Sequence, residues 1–329
     1  MQYRILRDQW FLVGILIITI IALIAPHPFV EAIAHGLTQY HANEFGIALI
    51  FIISGLELQW EHILDATRDW AGTCLALATI FILAPLLAWL LSHATFSNEI
   101  RIGLLLVGIV PTTLVSGVVM SSASGGRMAH ALFLTLLANL LSIVTIPSQL
   151  ALMIPKENIE VSLPYLQTIA KLVGLILLPL GTGILLHKPL APKLVLLPFH
   201  LNIFSRCIIL IIIFLGLSKG RDNILGSGKQ VITALGLVTL FHLLLAAILW
   251  MIMRGLRWGS GRRESIFFMG IQKTLPLSIW LQATYFTAYG MALVVCILHH
   301  IVQLIVDSYL VGRLATISRK EILSHSSIP

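Results

Sequence analysis

The chain has 329 residues, of which 58% are hydrophobic and 11% are charged, and it carries a formal net charge of +7. Soluble domains contain about twice that share of charged residues, so the composition excludes a soluble globular protein. Apolar runs of about 20 residues recur along the chain, and each is long enough to cross roughly 30 Å of hydrocarbon. The sequence therefore predicts an all-α polytopic membrane protein.

Ten apolar segments are predicted to span the membrane. They are residues 9–26, 44–58, 71–92, 101–123, 128–153, 164–187, 203–219, 230–253, 265–286 and 290–312. The first segment follows Arg4 and Arg7 without a small-residue cleavage site, so it is interpreted as a retained helix rather than a signal peptide. The mixed-charge stretch at 56–70 is predicted to be a helix end that lies at the membrane interface.

The distribution of Lys and Arg predicts that both termini are cytoplasmic. In that orientation fourteen basic residues fall in inner segments and six in outer segments, as the positive-inside rule requires. Topology and anionic lipid thereby explain the net charge. No basic stripe is interleaved with aromatic residues, so nucleic-acid binding is not expected. The expected location is a bacterial inner membrane.

Two predicted spans interrupt their apolar pattern with polar residues and a proline. In the fourth span these residues are Pro111, Thr112, Thr113 and Ser116, and in the ninth they are Gln272, Lys273, Thr274 and Pro276. Proline removes a backbone donor, so each helix is predicted to kink or open there. Hydrocarbon tolerates an opened backbone only beside protein or a water-filled cavity. An ordinary proline kink is the alternative for either span taken alone.

The two interrupted spans occupy equivalent places in the chain. Division into residues 1–153 and 154–329 gives two halves of five spans, and halves with an odd number of spans have opposite topology. Paired broken helices in inverted halves indicate the midplane site of a secondary transporter. An enzyme is not expected, because the spans contain no paired aspartates, Gly-x-Ser-x-Gly elbow or His-Glu-x-x-His motif.

The fifth and last spans each carry three polar residues on one helical face. They are Thr135, Asn139 and Ser142 in the fifth span and His300, Gln303 and Asp307 in the last. The first set is expected to point at the break in the fourth span. A His–carboxylate pair in the second set would suit a proton relay. Interhelical hydrogen bonding without a transport role is the alternative for both sets.

Three motifs resemble the bile acid:sodium symporter superfamily, and in particular its SBF-like branch, which includes solute carrier family 10 member 7. They are PTTLVSGVVMSSASGG at 111–126, GIQKTLPLSI at 270–279 and HHIVQL at 299–304. The resemblance covers essentially the whole chain. It implies ten helices in two inverted repeats, with a core domain that holds the crossing broken helices four and nine and a panel domain that moves against it. It also implies alternating-access transport of organic anions, generally with sodium.

The sodium ligands that this resemblance implies are only partly present. Ser116, Thr135 and Gln272 match ligand positions, whereas Gly117, Ala131, Phe268 and Lys273 stand where the family has Asn, Ser, Glu and Asn. The carboxylate that neutralises sodium is therefore missing. No metal site is firmly assigned.

Lys273 is expected near the middle of its span, where a charged side chain is costly and normally faces a cavity or a partner. It is interpreted as a fixed positive charge, a contact for an anionic substrate or a proton-exchanging group, and snorkelling to the interface is the alternative. Transport is accordingly expected to depend weakly on sodium and more strongly on pH, through Lys273 or His300. Gln272, Lys273, Thr112, Thr113 and Ser116 are expected to share one polar cavity.

The sequence thus predicts a secondary active transporter that carries a small organic anion across a lipid bilayer. The alternative is a non-transporting or regulatory membrane protein of the same fold, for example one that affects ion homeostasis. No cofactor is predicted, and a sodium ion or a proton is the expected coupling ion. The three cysteines stand singly, without metal or redox spacing.

Overall fold

The computed structural model describes residues 2–57, 68–154, 164–194 and 198–326, and within these ranges it contains helices and no strands. The first helices are α1 (Gln2–Ile24), α2 (His27–Gln39), α3 (Ala42–Leu56), α4 (Trp70–Ser92), α5 (Asn98–Ile109), α6 (Ser116–Ala123) and α7 (Met128–Met153). The chain continues with α8 (Tyr165–Leu172, Val173–Leu177 and Leu178–Leu194), α9 (Pro198–Gly226), α10 (Gly228–Gly255), α11 (Arg262–Ile271), α12 (Leu275–Tyr285) and α13 (Gly290–Ser326).

Among the described residues, six uninterrupted helices are long and apolar enough to cross a bilayer: α4, α7, α8, α9, α10 and α13. A seventh span results if α1 and α2, which bend by 117° at their junction, are counted as one. The predicted all-helical membrane class is therefore confirmed. The division into ten crossings and two inverted halves, 1–153 and 154–329, stays a prediction. The interfacial stretch at 56–70 lies largely outside the described residues.

Helix α2 is an element that the sequence analysis did not predict. It has 13 residues, too few to cross the hydrocarbon, and only Val30 and Ala34 of its side chains are buried. Pro28 lies in its first turn, where a proline costs no hydrogen bond and starts a helix. The apolar pattern of α1 therefore ends at a turn, and a short amphipathic helix follows.

Small residues let several helices approach each other closely, as is usual inside membranes. A methyl group added at Gly103 of α5 would lie 2.5 Å from the Cβ of Val295 on α13. One added at Gly55 of α3 would collide with the backbone of α8 near Gly183. These contacts fix α5 against α13 and α3 against α8.

Helix α13 is the longest element, with 37 residues. At 1.5 Å per residue it is about 55 Å long, well beyond the roughly 30 Å of a hydrocarbon core. Near its C-terminal end, Ser318 donates to Glu264 at 2.8 Å and Glu321 pairs with Arg263 at 3.0 Å. One continuous helix therefore joins the middle of the bundle to a cluster of charges at the start of α11.

A second ion pair at this end of the molecule joins α11 to the start of α4. Arg262 donates to both carboxylate oxygens of Asp69, at 2.6 and 2.7 Å. Asp69 also caps α4 by accepting from the backbone N–H of Gly72 at 2.9 Å. Partial burial raises the pKa of Asp69, but these hydrogen bonds and the adjacent guanidinium outweigh it and lower the pKa below its ordinary value.

Candidate functional site

The chain leaves the helical conformation at 110–115 and again at 272–274, and these two segments touch. Helix α5 ends at Ile109 and α6 begins at Ser116, while α11 ends at Ile271 and α12 begins at Leu275. Thr274 donates its backbone N–H to the carbonyl of Pro111 at 3.0 Å. Two interruptions separated by more than 150 residues therefore meet inside the bundle.

The prolines explain where the helices stop and start. The residue before a proline avoids the α conformation, and Val110 is accordingly extended, with ψ of 150°. Pro276 lies in the first turn of α12, where its missing N–H leaves no bond unmade. Pro111 thus ends one helix, whereas Pro276 begins another rather than kinking a continuous one.

Gln272 links the two interruptions through its side chain. Its Oε1 accepts from the hydroxyls of Thr113 at 2.7 Å and Ser116 at 3.0 Å. Its Nε2 donates to the carboxylate of Asp307 on α13 at 2.8 Å. Gln272 is fully buried, so this amide is the polar junction of α6, α13 and the break before α12.

Lys273 is buried and points away from the other polar residues of the break. Its Nζ donates to the carbonyls of Ile80 at 2.9 Å, Gly108 at 2.9 Å and Val110 at 3.1 Å. The last two lie at the C-terminal end of α5, where carbonyls lack intrahelical partners and the helix dipole is negative. Ile80 lies in a π-helical turn of α4, residues Thr79–Leu83. Carbonyl oxygens therefore hold the ammonium group.

The polar residues of α13 do not pair as their spacing suggested. The carboxylate of Asp307 forms a hydrogen bond with Nε2 of His242 on α10 at 2.9 Å, rather than with His300. The side-chain oxygen of Gln303 accepts from the backbone N–H of Lys273 at 2.7 Å. The side-chain nitrogen of Gln303 donates to the carbonyl of Lys273 at 3.3 Å. Neither ring nitrogen of His300 has a partner among the described residues, although its exposed fraction is only 4%. The spacing of the polar residues along α13 placed them on one helical face, but their hydrogen-bond partners come from other segments.

A cavity of about 420 Å³ lies beside the two interruptions. Its walls are mainly apolar and include residues of α1, α3, α9 and α13. The polar groups on its surface are Thr113, Ser116, Arg206, Thr274, His300 and Ser308. The N-terminal ends of α6 and α12 border this cavity, and a helix N-terminus carries unpaired N–H groups and partial positive charge.

The expected common cavity contains only part of the predicted set. Thr113, Ser116 and Thr274 line the large cavity, whereas Gln272 and Lys273 are not among its lining residues. Thr112 is also absent from its surface, and the buried Thr112 hydroxyl has no partner among the described residues. The expectation of one shared polar cavity was therefore wrong for these three residues. The Gln272 amide and the Lys273 ammonium group turn inward to protein partners, and the Thr112 side chain is buried away from the cavity.

Thr135 and Asn139 of α7 line a different and much smaller cavity, together with Glu57 and Leu114. Leu114 belongs to the break between α5 and α6, so these two residues do lie beside it. Ser142 donates to the carbonyl of Asn139 at 2.6 Å instead of reaching that cavity. The polar residues of α7 and those of α13 therefore lie in separate parts of the bundle.

The sequence analysis did not single out Arg206 and Glu57, which line these cavities, or His242, which pairs with Asp307. Arg206 appeared only as one basic residue in the orientation count, and His242 is hidden in the apolar run TLFHLLL of α10. Glu57 ends the short second apolar segment. A charged or imidazole side chain inside or directly at the end of an apolar run is the signal that could have found all three.

The chain is similar in sequence to known membrane transporters. The family model for the SBF-like CPA transporter family matches residues 9–316. The chain is 29% identical to the probable sodium/metabolite cotransporter BASS4, chloroplastic, of Arabidopsis thaliana, over 83% of this chain and 66% of that protein, just under two thirds of its length. It is also 23% identical to sodium/bile acid cotransporter 7-B of Xenopus laevis, over 98% of this chain and 97% of that protein.

A family match that extends over nearly the whole chain confirms the resemblance carried by the motifs at 111–126, 270–279 and 299–304. The relatives are cotransporters and not enzymes. The apolar helices fit the bilayer location that such a function requires. The chain is an integral membrane protein that belongs to the SBF-like CPA transporter family.

Proposed function

We propose that the protein is a secondary active transporter that binds a small organic anion in the cavity of about 420 Å³ beside the two helix interruptions. The observation that carries this proposal is the convergence of two helix N-termini and Arg206 on one mainly apolar cavity. Broken helices whose N-termini point at an anionic group are a recurrent design in secondary transporters.

The charges around the cavity favour an anion over a cation. Arg206 supplies a guanidinium group, and among the described residues no Asp or Glu lines the cavity. Thr274 adds a hydroxyl group at the start of α12, whereas Thr113 and Ser116 already donate theirs to Gln272. A carboxylate or sulfonate placed there would meet positive dipole ends and hydrogen-bond donors.

The size and the apolar walls indicate the rest of the ligand. A volume of about 420 Å³ lies in the usual range for sites that hold small molecules. Phe11, Ile50 and Leu304 supply hydrocarbon surface. We therefore propose a substrate with one acidic group and an apolar body, in keeping with the metabolite and bile acid cotransporters among the relatives.

We further propose that the ten predicted spans form two inverted repeats, 1–153 and 154–329, and that the cavity faces the cytoplasm. Ala123, Arg206 and Gly312 line it, and each lies towards the end of its span that the Lys/Arg count assigns to the inside. The Asp69–Arg262 and Arg263–Glu321 pairs join residues assigned to that same side. Both termini are cytoplasmic in this arrangement, in a bacterial inner membrane.

Coupling through the sodium positions that the family resemblance implies is not part of this proposal. Lys273 places its own charge at the end of α5 and beside the π-helical turn of α4, and Phe268 supplies no carboxylate. A unit positive charge at 4 Å would repel Na⁺ by roughly 4 kcal/mol at an effective dielectric of 20. Sodium dependence through those positions is therefore expected to be weak.

The proposal is tested by ligand binding to the purified protein. Taurocholate, pyruvate and succinate would be screened by thermal shift, and a stabilising compound would be followed by counterflow in proteoliposomes. Arg206→Gln is expected to weaken binding at least tenfold, about 1.4 kcal/mol. Arg254→Gln, an exposed residue of α10, is the matched control and should bind as the wild type does.

Two results would contradict the proposal. Equal affinity in the wild type and Arg206→Gln would show that the anion binds elsewhere. Binding without any flux in proteoliposomes would instead support the non-transporting member of the same fold.

A further inference from the structure

Another cavity lies where α10 ends and α11 begins. Its volume is about 310 Å³, which is large enough for a small molecule. Its aromatic and charged lining consists of Trp250, Arg254, Arg257, Trp258, Arg263 and Glu321. We call this cavity the arginine pocket. None of its lining residues borders the anion cavity, so the two are separate sites.

Two of the three arginines in the pocket have no countercharge. Arg263 pairs with Glu264 at 2.8 Å and with Glu321 at 3.0 Å, so the carboxylate on the surface of the pocket is already engaged. Arg254 and Arg257 are exposed, and neither side chain forms an ion pair or a hydrogen bond with a described residue. The pocket therefore carries an excess of positive charge and favours an anion.

The backbone conformation of Arg257 is unusual. Its φ of 51° lies in the left-handed region, just after the end of α10, where glycine is the common residue. An unfavourable backbone conformation at a non-glycine residue is a reason to ask what its side chain does. Here the turn places Arg257 in the wall of the pocket, next to Trp258.

The position of the pocket favours a lipid over a soluble anion. Arg254 directly follows the predicted span 230–253, so the pocket lies where hydrocarbon gives way to headgroups. Met251, Ile252 and Leu256 lie at the same end of α10, with exposed fractions of 63%, 39% and 48%. A ligand with acyl chains covers this apolar surface, whereas free phosphate or a small organic anion does not.

The two tryptophans of the pocket suit the same level of the membrane. Trp is enriched at the interface because its ring is apolar and its N–H is polar. Arg262 lies over the ring of Trp258 at 3.8 Å, and Arg263 lies over the ring of Trp250 at 5.5 Å. These cation–π contacts hold both rings in the pocket wall.

We propose that the arginine pocket binds the phosphate group of one anionic phospholipid, in the leaflet that the Lys/Arg count assigns to the cytoplasm. Arg254 and Arg257 donate to the phosphate oxygens, for which the planar guanidinium group is well suited. A zwitterionic headgroup is disfavoured, because its ammonium group meets two guanidinium groups and the carboxylate of Glu321 already pairs with Arg263. Basic pockets on the cytoplasmic side commonly bind anionic headgroups. This role goes beyond transport and does not depend on it.

The test is binding of phosphatidylglycerol to the purified full-length protein in detergent, followed by native mass spectrometry. Phosphatidylethanolamine with the same acyl chains is the comparison, and the wild type is expected to bind it at least about tenfold more weakly. Arg257→Gln should weaken phosphatidylglycerol binding to a similar extent. Arg257→Gly should do the same, and because glycine accepts the left-handed conformation this variant removes the guanidinium group without straining the turn.

Two controls separate this site from other positive charges. Arg313→Gln, an exposed residue of α13 outside the pocket, should bind phosphatidylglycerol as the wild type does. Arg254→Gln should lose affinity for phosphatidylglycerol while it keeps its affinity for an organic anion in the separate cavity. Failure of the lipid site and failure of the transport proposal are thereby distinguishable.

Four results would overturn the proposal. Equal affinity of the wild type for the two lipids would mean that only ordinary surrounding lipid binds. Wild-type affinity in both Arg257 variants would place the lipid elsewhere. An equal loss in Arg313→Gln would show a general attraction to positive charge. Displacement of phosphatidylglycerol by glycerol 1-phosphate at equal concentration would show a site for soluble anions.

Discussion

The pair formed by His242 and Asp307 provides the strictest test of the polar network in the bundle. Both side chains are fully buried, and their 2.9 Å contact joins α10 to α13. Replacing His242 by Leu leaves the carboxylate with one remaining bond, from Gln272. Removing one partner of a buried pair costs about 3–5 kcal/mol, because the other group stays buried without compensation.

The double variant His242→Leu/Asp307→Leu separates this cost from simple loss of packing. Replacement of a whole buried pair by apolar side chains is often nearly neutral. The double variant is therefore expected to be more stable than His242→Leu alone. His300→Leu is the matched control, since that imidazole is buried on α13 and has no hydrogen-bond partner among the described residues, and its loss should cost less than about 1 kcal/mol.

The measurement is thermal unfolding of the four proteins in one detergent. At roughly 2 °C per kcal/mol, the midpoint of His242→Leu should fall by about 6–10 °C. The control should stay within about 2 °C of the wild type. If His242→Leu also stays within that range, or if the double variant is no more stable than His242→Leu, the pair contributes nothing special to the fold.

Three further variants test other contacts, each by its unfolding midpoint in detergent. Lys273→Met leaves three buried carbonyls without their hydrogen bond, so the free energy of unfolding should fall by about 2–4 kcal/mol. A fall of less than about 1 kcal/mol would contradict the importance of these three bonds. Arg262→Gln should cost about 1.5–3 kcal/mol at pH 7. The pKa of Asp69 is lowered in the folded protein, so the stability difference between the wild type and Arg262→Gln should be present above about pH 4. It should vanish as the pH falls through the folded pKa of Asp69. A stability difference that persists in acid would refute the role of the Asp69 carboxylate. Gly103→Ala should destabilise through overpacking by about 1–3 kcal/mol, whereas Gly36→Ala, which meets nothing within 4 Å, should not; equal effects would show that the bundle yields at Gly103.

The helix ends at the two interruptions could be predicted from the sequence because they follow from local sterics. Val110 avoids the helical conformation on account of Pro111, whatever surrounds it. Burial of Lys273 was predictable in the same way, from its depth in an apolar run. These inferences needed only neighbours along the chain.

The partners of the buried polar groups could not be predicted, because they come from distant segments. The partners of Lys273 are backbone carbonyls. Every residue has a backbone carbonyl, so the residue types in a sequence do not indicate which carbonyls will accept a hydrogen bond. The spacing of His300 and Asp307 predicted one helical face correctly, but it carries no information about the imidazole of His242 across the interface. Glu57 stands at the end of an apolar segment, and its position beside Thr135 and Asn139 of α7 cannot be inferred from that segment alone.

The length of α13 has a mechanical consequence. The helix is a rod about 55 Å long that holds Gln303 and Asp307 within the bundle and Ser318 and Glu321 near the start of α11. A rigid rod pivoted at its middle moves both ends at once, so a tilt of 10° displaces each end by about 5 Å. A tilt of that size exceeds the reach of the 2.8 Å bond between Ser318 and Glu264. This bond and the Arg263–Glu321 pair would therefore break if α13 tilted alone, so α13 and the start of α11 tilt together while both contacts hold.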